Sequence, residues 1–252
     1  MHTSIQGKFL LSLAILCLFS CRSTNYLSSI KPERQTISTK IEADQSITAL
    51  IQPYKVKLDE KMNQVIGQTA TDLTKKRPES TLGNFMADAI QRQTEKNIGE
   101  SIAFAIQNYG GIRISKIAKG AITRGKIYEL MPFDNTVVIL SLNRTEVMEL
   151  VEHLTSGGGW PVSSTIQINQ NDSGKLDIQI RDQPLSPDKI YKVAIPDYVA
   201  NGGSDSKFLR GKPQQALDLY IRDLLITDVE EHTANKLPIE SKIDGRLVLK
   251  KD

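Results

Sequence analysis

Only two cysteines occur in 252 residues, Cys17 and Cys21. Nothing after position 21 can therefore form an internal disulfide, and no thiolate is available there for a metal or a nucleophilic site. Histidine is nearly as scarce, with His2, His153 and His232 alone. A two-metal hydrolytic centre gathers several nitrogen and oxygen ligands around ions about 3.5 to 4 Å apart. Three histidines spread over the chain, none with a second nearby, do not supply that set. No serine sits in a nucleophile elbow or beside a histidine partner. Glycine-rich phosphate motifs and internal repeats are also missing. The charge has no dominant sign: 32 basic residues are scattered among 29 acidic ones, a formal +3. That balance creates no field for nucleic acid, so none is expected as a partner. No apolar run is long enough to span a membrane stably.

With 39% hydrophobic residues, the chain can bury one good core. The first residues stand apart from it. Lys8 precedes the apolar run Phe9 to Phe19, which ends in Ser20-Cys21, the layout of a secretory leader. Leu18-Phe19-Ser20-Cys21 resembles the lipobox of bacterial lipoproteins. That resemblance implies cleavage before Cys21, a lipid on its sulfur, and attachment to the cell envelope, at the outer membrane facing the periplasm. Residues 22–45 are polar and aperiodic and read as a tether. A single domain is expected over 46–252.

Within that domain Ile47, Leu50, Ile51, Val56, Leu58, Met62 and Val65 recur near helical spacing. Pro53 is expected to kink or divide the element and Gly67 to end it. From Thr81 to Lys96, Leu82, Phe85, Met86, Ala89 and Ile90 form one apolar stripe, and Ser80 or Thr81 can cap the helix. Gly83 in its first turn costs helix stability unless backbone or ligand approaches closely. Ala103 to Ile106 reads as a strand that stops at Asn108-Tyr109-Gly110-Gly111-Ile112-Arg113, where the glycines permit positive φ and close ligand approach. Thr136 to Leu142 is β-branched and reads as a central strand. Asn143 and Glu146 form a capping-box pair for a helix to Leu154. Thr165 to Asn169, Lys175 to Arg181 and Ile190 to Ile195 alternate like strands of antiparallel hairpins. Asp197 to Gly203 reads as a loop, Leu217 to Val229 as a helix, and Leu237 to Leu249 as holding a last strand. Helices and strands without regular βαβ alternation give the class α+β, a mixed sheet with antiparallel hairpins and packed helices.

Four stretches in one order carry a more specific signal: Arg77 to Ala89 (with Leu82-Gly83-Asn84), Asn108 to Arg113, Pro132-Phe133-Asp134-Asn135, and Asp197 to Gly203. Together they resemble the C-terminal domain of 5'-nucleotidases, from about Ile47 to Val248. The resemblance implies that fold and a substrate-binding role. Asn108 and Asn135 would meet the base, Gly111 would let it approach, and Arg77 and Arg113 would lie on its charged or ribose side. Phe133 would stack on it. The family usually continues its double glycine with Asp-Gly and an aromatic, whereas this chain reads Gly202-Gly203-Ser204-Asp205-Ser206-Lys207-Phe208. Asp205 and Phe208 are the candidates for those roles.

The family's hydrolytic half is a separate N-terminal domain with two metal ions, and it has no counterpart in these residues. The expectation is a nucleotide- or nucleoside-recognising half of a split phosphohydrolase in nucleotide catabolism. It would hold no cofactor or catalytic residue itself, and the divalent metals would belong to a separate metallophosphatase-domain partner. The alternative is a non-catalytic lipoprotein module for partner docking or nucleoside capture.

Overall fold

A computed structural model describes residues 29–34, 38 and 42–250. The leader with Cys21, and part of the tether, lie outside the described residues. The chain divides into two units, Met1–Ala49 and Leu50–Asp252. The first described helix, α1 (Gln45–Met62), starts in one and ends in the other. The Asp44 carboxylate caps it by accepting from the amides of Ser46 (2.8 Å) and Ile47 (3.1 Å). The helix runs on through Pro53 rather than dividing there. None of its residues is buried, and Ile47, Leu50, Ile51, Tyr54 and Leu58 are all exposed.

In chain order the second unit continues with β1 (Val65–Thr69), β2 (Leu73–Thr74), α2 (Thr81–Ile98), β3 (Phe104–Ala105), β4 (Lys116–Ile117), β5 (Gly120–Thr123), α3 (Arg124–Leu130), β6 (Thr136–Leu142) and α4 (Arg144–Ser156). It then adds β7 (Ile166–Gln170), β8 (Leu176–Ile180), β9 (Gln183–Pro184), β10 (Tyr191–Pro196), α5 (Asp197–Ala200), β11 (Gln214–Tyr220), α6 (Ile221–Ala234) and β12 (Leu247–Val248). Gly67 therefore lies inside a strand and does not stop a helix.

The main sheet has the order β11-β6-β10-β3. Strand β6 is antiparallel to both its neighbours, and β10 is parallel to β3. Successive side chains of a strand point to opposite faces, and here both faces are covered. Val137 and Ile139 of β6, Ala194 of β10 and Ala105 of β3 join a core with the stripe of α2 and with Ile127, Leu130, Ile221, Leu224 and Leu225. Val138, Leu140, Val193, Ile195 and Phe104 join a second core with Val147, Leu150, Val151 and Leu154 of α4. That second core also takes Ile166, Ile168, Ile178 and Ile180 from the sheet β12-β7-β8-β9. Burying such a side chain stabilises by about 1.5 to 3 kcal/mol, so β6 ties two cores together.

The local expectations mostly hold. Ser80 caps α2 by accepting from the Gly83 amide at 3.0 Å, and Asn143 with Glu146 closes a full capping box on α4. Gly83, however, serves packing within the chain: a Cβ there would lie 2.7 Å from Pro161. Three further assignments change. Asp197 to Gly203, expected as a loop, begins with the short helix α5, Asp197–Ala200, with Pro196 at its N-cap. Strand β10 does not extend the β7–β8 hairpin, because β9 pairs with β8 and β10 crosses to the main sheet between β6 and β3. Residues to Tyr220 pair with β6, so the helix expected from Leu217 starts at Ile221 and runs to Ala234. The pairing partner, remote in sequence, overrides the local spacing.

Candidate functional site

The direction of three strands determines where the site lies. Since β3 and β10 are parallel and β6 is antiparallel to β10, the C-terminal ends of β3 and β10 meet the N-terminal end of β6 at one end of the sheet. The segments 108–113, 133–135 and 197–204 therefore converge. They enclose a cavity of about 320 Å³ lined by Asn108, Gly110, Gly111, Arg113, Phe133, Asn135, Tyr198 and Ser204. Among the lining residues Arg113 is the only charged group.

The glycine turn after β3 is a single 3-10 turn, Tyr109–Gly111. Neither glycine there has positive φ. Gly111 is needed for space, since a Cβ would fall 2.1 Å from Gln107 Nε2 and 2.9 Å from Asn108 Oδ1. Asn108 is buried; its Nδ2 donates to Ser204 Oγ (3.1 Å) and its Oδ1 accepts from Gln107 Nε2 (3.1 Å). Arg113 Nη1 donates weakly to the Gly110 carbonyl at 3.4 Å, and its guanidinium lies 5.6 Å from the centre of the Phe133 ring.

On the opposite side, the Asp197 carboxylate organises two lining residues. Its Oδ1 accepts from Asn135 Nδ2 (2.9 Å), the Thr136 amide (3.2 Å) and the Tyr198 amide (2.7 Å). The Tyr198 ring is 50% exposed and lies over the Gly203 backbone, where a Cβ would come within 2.4 Å of the ring. Its hydroxyl accepts from the Ser204 amide (3.3 Å). Ser204 thus links Asn108 and Tyr198, and His153 holds it from behind. The carbonyl of Ser204 can only accept, so His153 Nε2, 2.9 Å away, carries the proton.

Cations collect around the glycine turn. Lys75 Nζ donates to the Ile112 carbonyl (2.8 Å) and sits 4.0 Å from the centre of the Tyr109 ring, while the Arg77 guanidinium lies 3.8 Å from that ring. Burial first, then Arg113 and Arg77, push the Lys75 pKa below its ordinary value.

Five of the residues singled out in the sequence, Asn108, Gly111, Arg113, Phe133 and Asn135, line the cavity together. Arg77 does not. It packs on Tyr109 and beside Gly158, lining a different cavity of about 510 Å³. Asp205 is exposed at the surface outside the lining. Phe208 joins the second core and meets His153 edge-on at 5.4 Å, with Trp160 on the same imidazole at 5.2 Å. The second aromatic on the cavity is Tyr198, which sequence reasoning missed together with Ser204. The local signal, an aromatic four residues before Gly202-Gly203, does not by itself separate Tyr198 from Phe208 on the other side of the glycines. No group of three His, Cys, Asp or Glu that could hold a metal occurs among the described residues. No helix among them is long and apolar enough to cross a membrane.

Residues 65–210 match the family model described as 5'-nucleotidase, C-terminal domain. The chain is 28% identical over 216 residues to the trifunctional nucleotide phosphoesterase protein YfkN of Bacillus subtilis, covering 77% of this chain and 14% of that protein. It is 25% identical over 240 residues to a 5'-nucleotidase of Mus musculus, covering 84% of this chain and 41% of the relative. The crystal structure of a 5'-nucleotidase precursor from Thermus thermophilus superposes with a TM-score of 0.68 at 26% identity, over 82% of this chain and 43% of that one. The chain therefore spans less than half the length of each of these proteins.

Proposed function

The chain belongs to the 5'-nucleotidase C-terminal domain family, and from that premise we propose that it is the substrate-recognising half of a two-chain phosphohydrolase acting on nucleotides. The observation that carries this reading is the cavity at the end of the main sheet. It combines two half-exposed aromatic rings, Phe133 and Tyr198, with an amide edge at Asn108 and a cation at Arg113. A heteroaromatic base held between two rings gains about 1 to 3 kcal/mol per stacking contact. Asn108, fixed by Gln107 and Ser204, presents an oriented amide for the polar edge of such a base. Arg113, with one long hydrogen bond to Gly110, has donors left for ribose or phosphate oxygens.

In this reading the domain binds and orients, and hydrolysis belongs to a metallophosphatase chain that brings its own divalent ions. Cys21 carries a lipid, and the tether suspends the domain from the outer membrane in the periplasm. A second reading, a non-catalytic module for docking or nucleoside capture, draws on α1, whose apolar residues nothing buries among the described residues.

The test is calorimetric titration of the full chain with adenosine and with AMP, beside a metal-dependent phosphatase assay on the same preparation. Saturable binding without turnover is expected. Turnover by this chain alone would overturn the division of labour, and neither binding nor turnover would favour the docking module.

A further inference from the structure

Phe133 is 40% exposed, and Pro132, Phe133 and Asp134 lie on the surface. The core therefore does not fix the ring. Whatever fixes it must hold the segment between the end of α3 and the start of β6; besides Arg113, 5.6 Å from the ring centre, side chains reach that segment from two places. Asp197 takes the amide of Asn135, on the β6 side. On the Phe133 side stands Arg222, the second residue of α6. Its Nη2 donates to Asp134 Oδ1 at 2.9 Å and its Nη1, weakly, to the Phe133 carbonyl at 3.4 Å. The next residue back, Ile221, donates its amide to the Asn135 carbonyl at 2.9 Å.

Arg222 is itself well placed for such a task. Its side chain is only 12% exposed, and its guanidinium lies 4.5 Å from the Tyr128 ring centre and 6.0 Å from that of Tyr220. Two aromatic walls limit a planar fork to few orientations. The helix that carries it is anchored by Ile221, Leu224 and Leu225 in the first core. Burying this cation is costly, and its Nε remains buried without a hydrogen-bond partner. A surface ion pair made only for stability would not need that arrangement, because Asp134 is 78% exposed and such pairs contribute little.

We infer that Arg222 is the positioning residue of the Phe133 face: it ties the Phe133 carbonyl and the Asp134 carboxylate to the rigid start of α6, so that the ring stands ordered at the cavity before any ligand enters. The purpose of that order rests on the nucleoside reading of the cavity. Its physical content does not, since an ordered ring costs less entropy to stack on than a mobile one.

Two measurements on the full chain separate these. The chain has one tryptophan, Trp160, which is 7% exposed, so Phe133→Trp introduces a second indole at the cavity that acrylamide quenches selectively. Arg222→Met should raise the fast angular motion of that indole, read by time-resolved anisotropy, and Asp134→Asn should raise it by a smaller amount. The Asp134 variant changes an exposed residue and decides the matter even if Arg222→Met fails to fold. Unchanged motion would overturn the inference. In adenosine titrations Arg222→Met should weaken binding about tenfold when Phe133 is present and less than about twofold in a Phe133→Ala background. Equal losses in both backgrounds would also overturn it, because Arg222 would then act on the ligand by another route. A looser indole in a protein that binds no adenosine would leave the positioning role standing and remove the nucleoside reading.

Discussion

Arg246 and Arg113 are the same side chain in opposite situations. Arg246 is 5% exposed and gives bonds to both Asp244 oxygens (2.8 and 2.6 Å), to Asp88 (2.8 Å) and to the Val162 carbonyl (3.2 Å). Burial opposes its charge, but the hydrogen bond to Asp244 and the Asp88 carboxylate more than offset this and hold its pKa above the ordinary arginine value. Arg113 is exposed, has one 3.4 Å bond to the Gly110 carbonyl, and faces an aromatic ring. A guanidinium with four of its five N–H donors engaged fastens the fold. One whose donors are mostly unused, beside a cavity, is available to a ligand.

The largest expected effect follows from the first half of that contrast. Arg246→Met should cost about 3 to 5 kcal/mol of unfolding free energy, because it leaves Asp244 and Asp88 uncompensated. Arg113→Met should change it by less than about 0.5 kcal/mol. Denaturant midpoints for the two variants decide this, and similar losses would break the comparison. Phe133→Ala comes next: nucleoside binding should weaken by more than about tenfold while the thermal midpoint barely moves. Equal loss of affinity and stability would make Phe133 a packing residue. Tyr198→Ala should weaken binding by a similar or smaller factor, whereas Phe208→Ala, which removes a ring from the core around His153, should lower stability and leave affinity nearly unchanged. That pair sharpens which aromatic belongs to the cavity.

The smallest of the expected losses is a pH dependence at the start of α4, at Glu146, which does not line the cavity. The hydrogen bond from Lys212, followed by that from the Asn143 amide, holds the Glu146 carboxyl below its ordinary 4.5. Stability from a depressed carboxyl is present above the unfolded value and is lost as pH falls through the folded one. The difference between the natural chain and Glu146→Gln should be about 0.5 to 1 kcal/mol near pH 7 and shrink towards zero as pH drops below 4.5. A constant difference across that range would show that the ion pair and capping box do not carry it.

Much of the fold was legible because short-range rules decided it. The stripe from Leu82 to Ile90, the Ser80 cap, the Asn143–Glu146 box and the β-branched run from Thr136 to Leu142 each follow from residues within a few positions of one another. The misreadings share a cause. Lys192, Val193 and Ala194 alternate as any hairpin strand would, and only the partner chosen, β6 at Ser141, Leu140 and Ile139, places β10 in the main sheet. Leu217 and Leu219 fit a helical spacing until pairing with β6 claims the strand that carries them. Likewise, both Tyr198 and Phe208 flank the double glycine. Nothing local tells which one faces a cavity and which one packs on His153.

By itself the sequence determined the helices that start after Ser80 and after Asn143, the central strand from Thr136 to Leu142, which polar residues stand after strands, and the family to which the chain belongs. The tertiary structure alone decided that the ends of β3, β6 and β10 meet, that Tyr198 rather than Phe208 faces Phe133's cavity, that Arg77 packs on Tyr109 without lining that cavity, and that Arg222 reaches Phe133. The physical reason is range. Caps, periodicity and turns are settled by energies between neighbours in the chain, whereas a cavity is a relation among segments that include Asn108 and Ser204, 96 residues apart, about which strand pairing and core burial, not local spacing, have the last word.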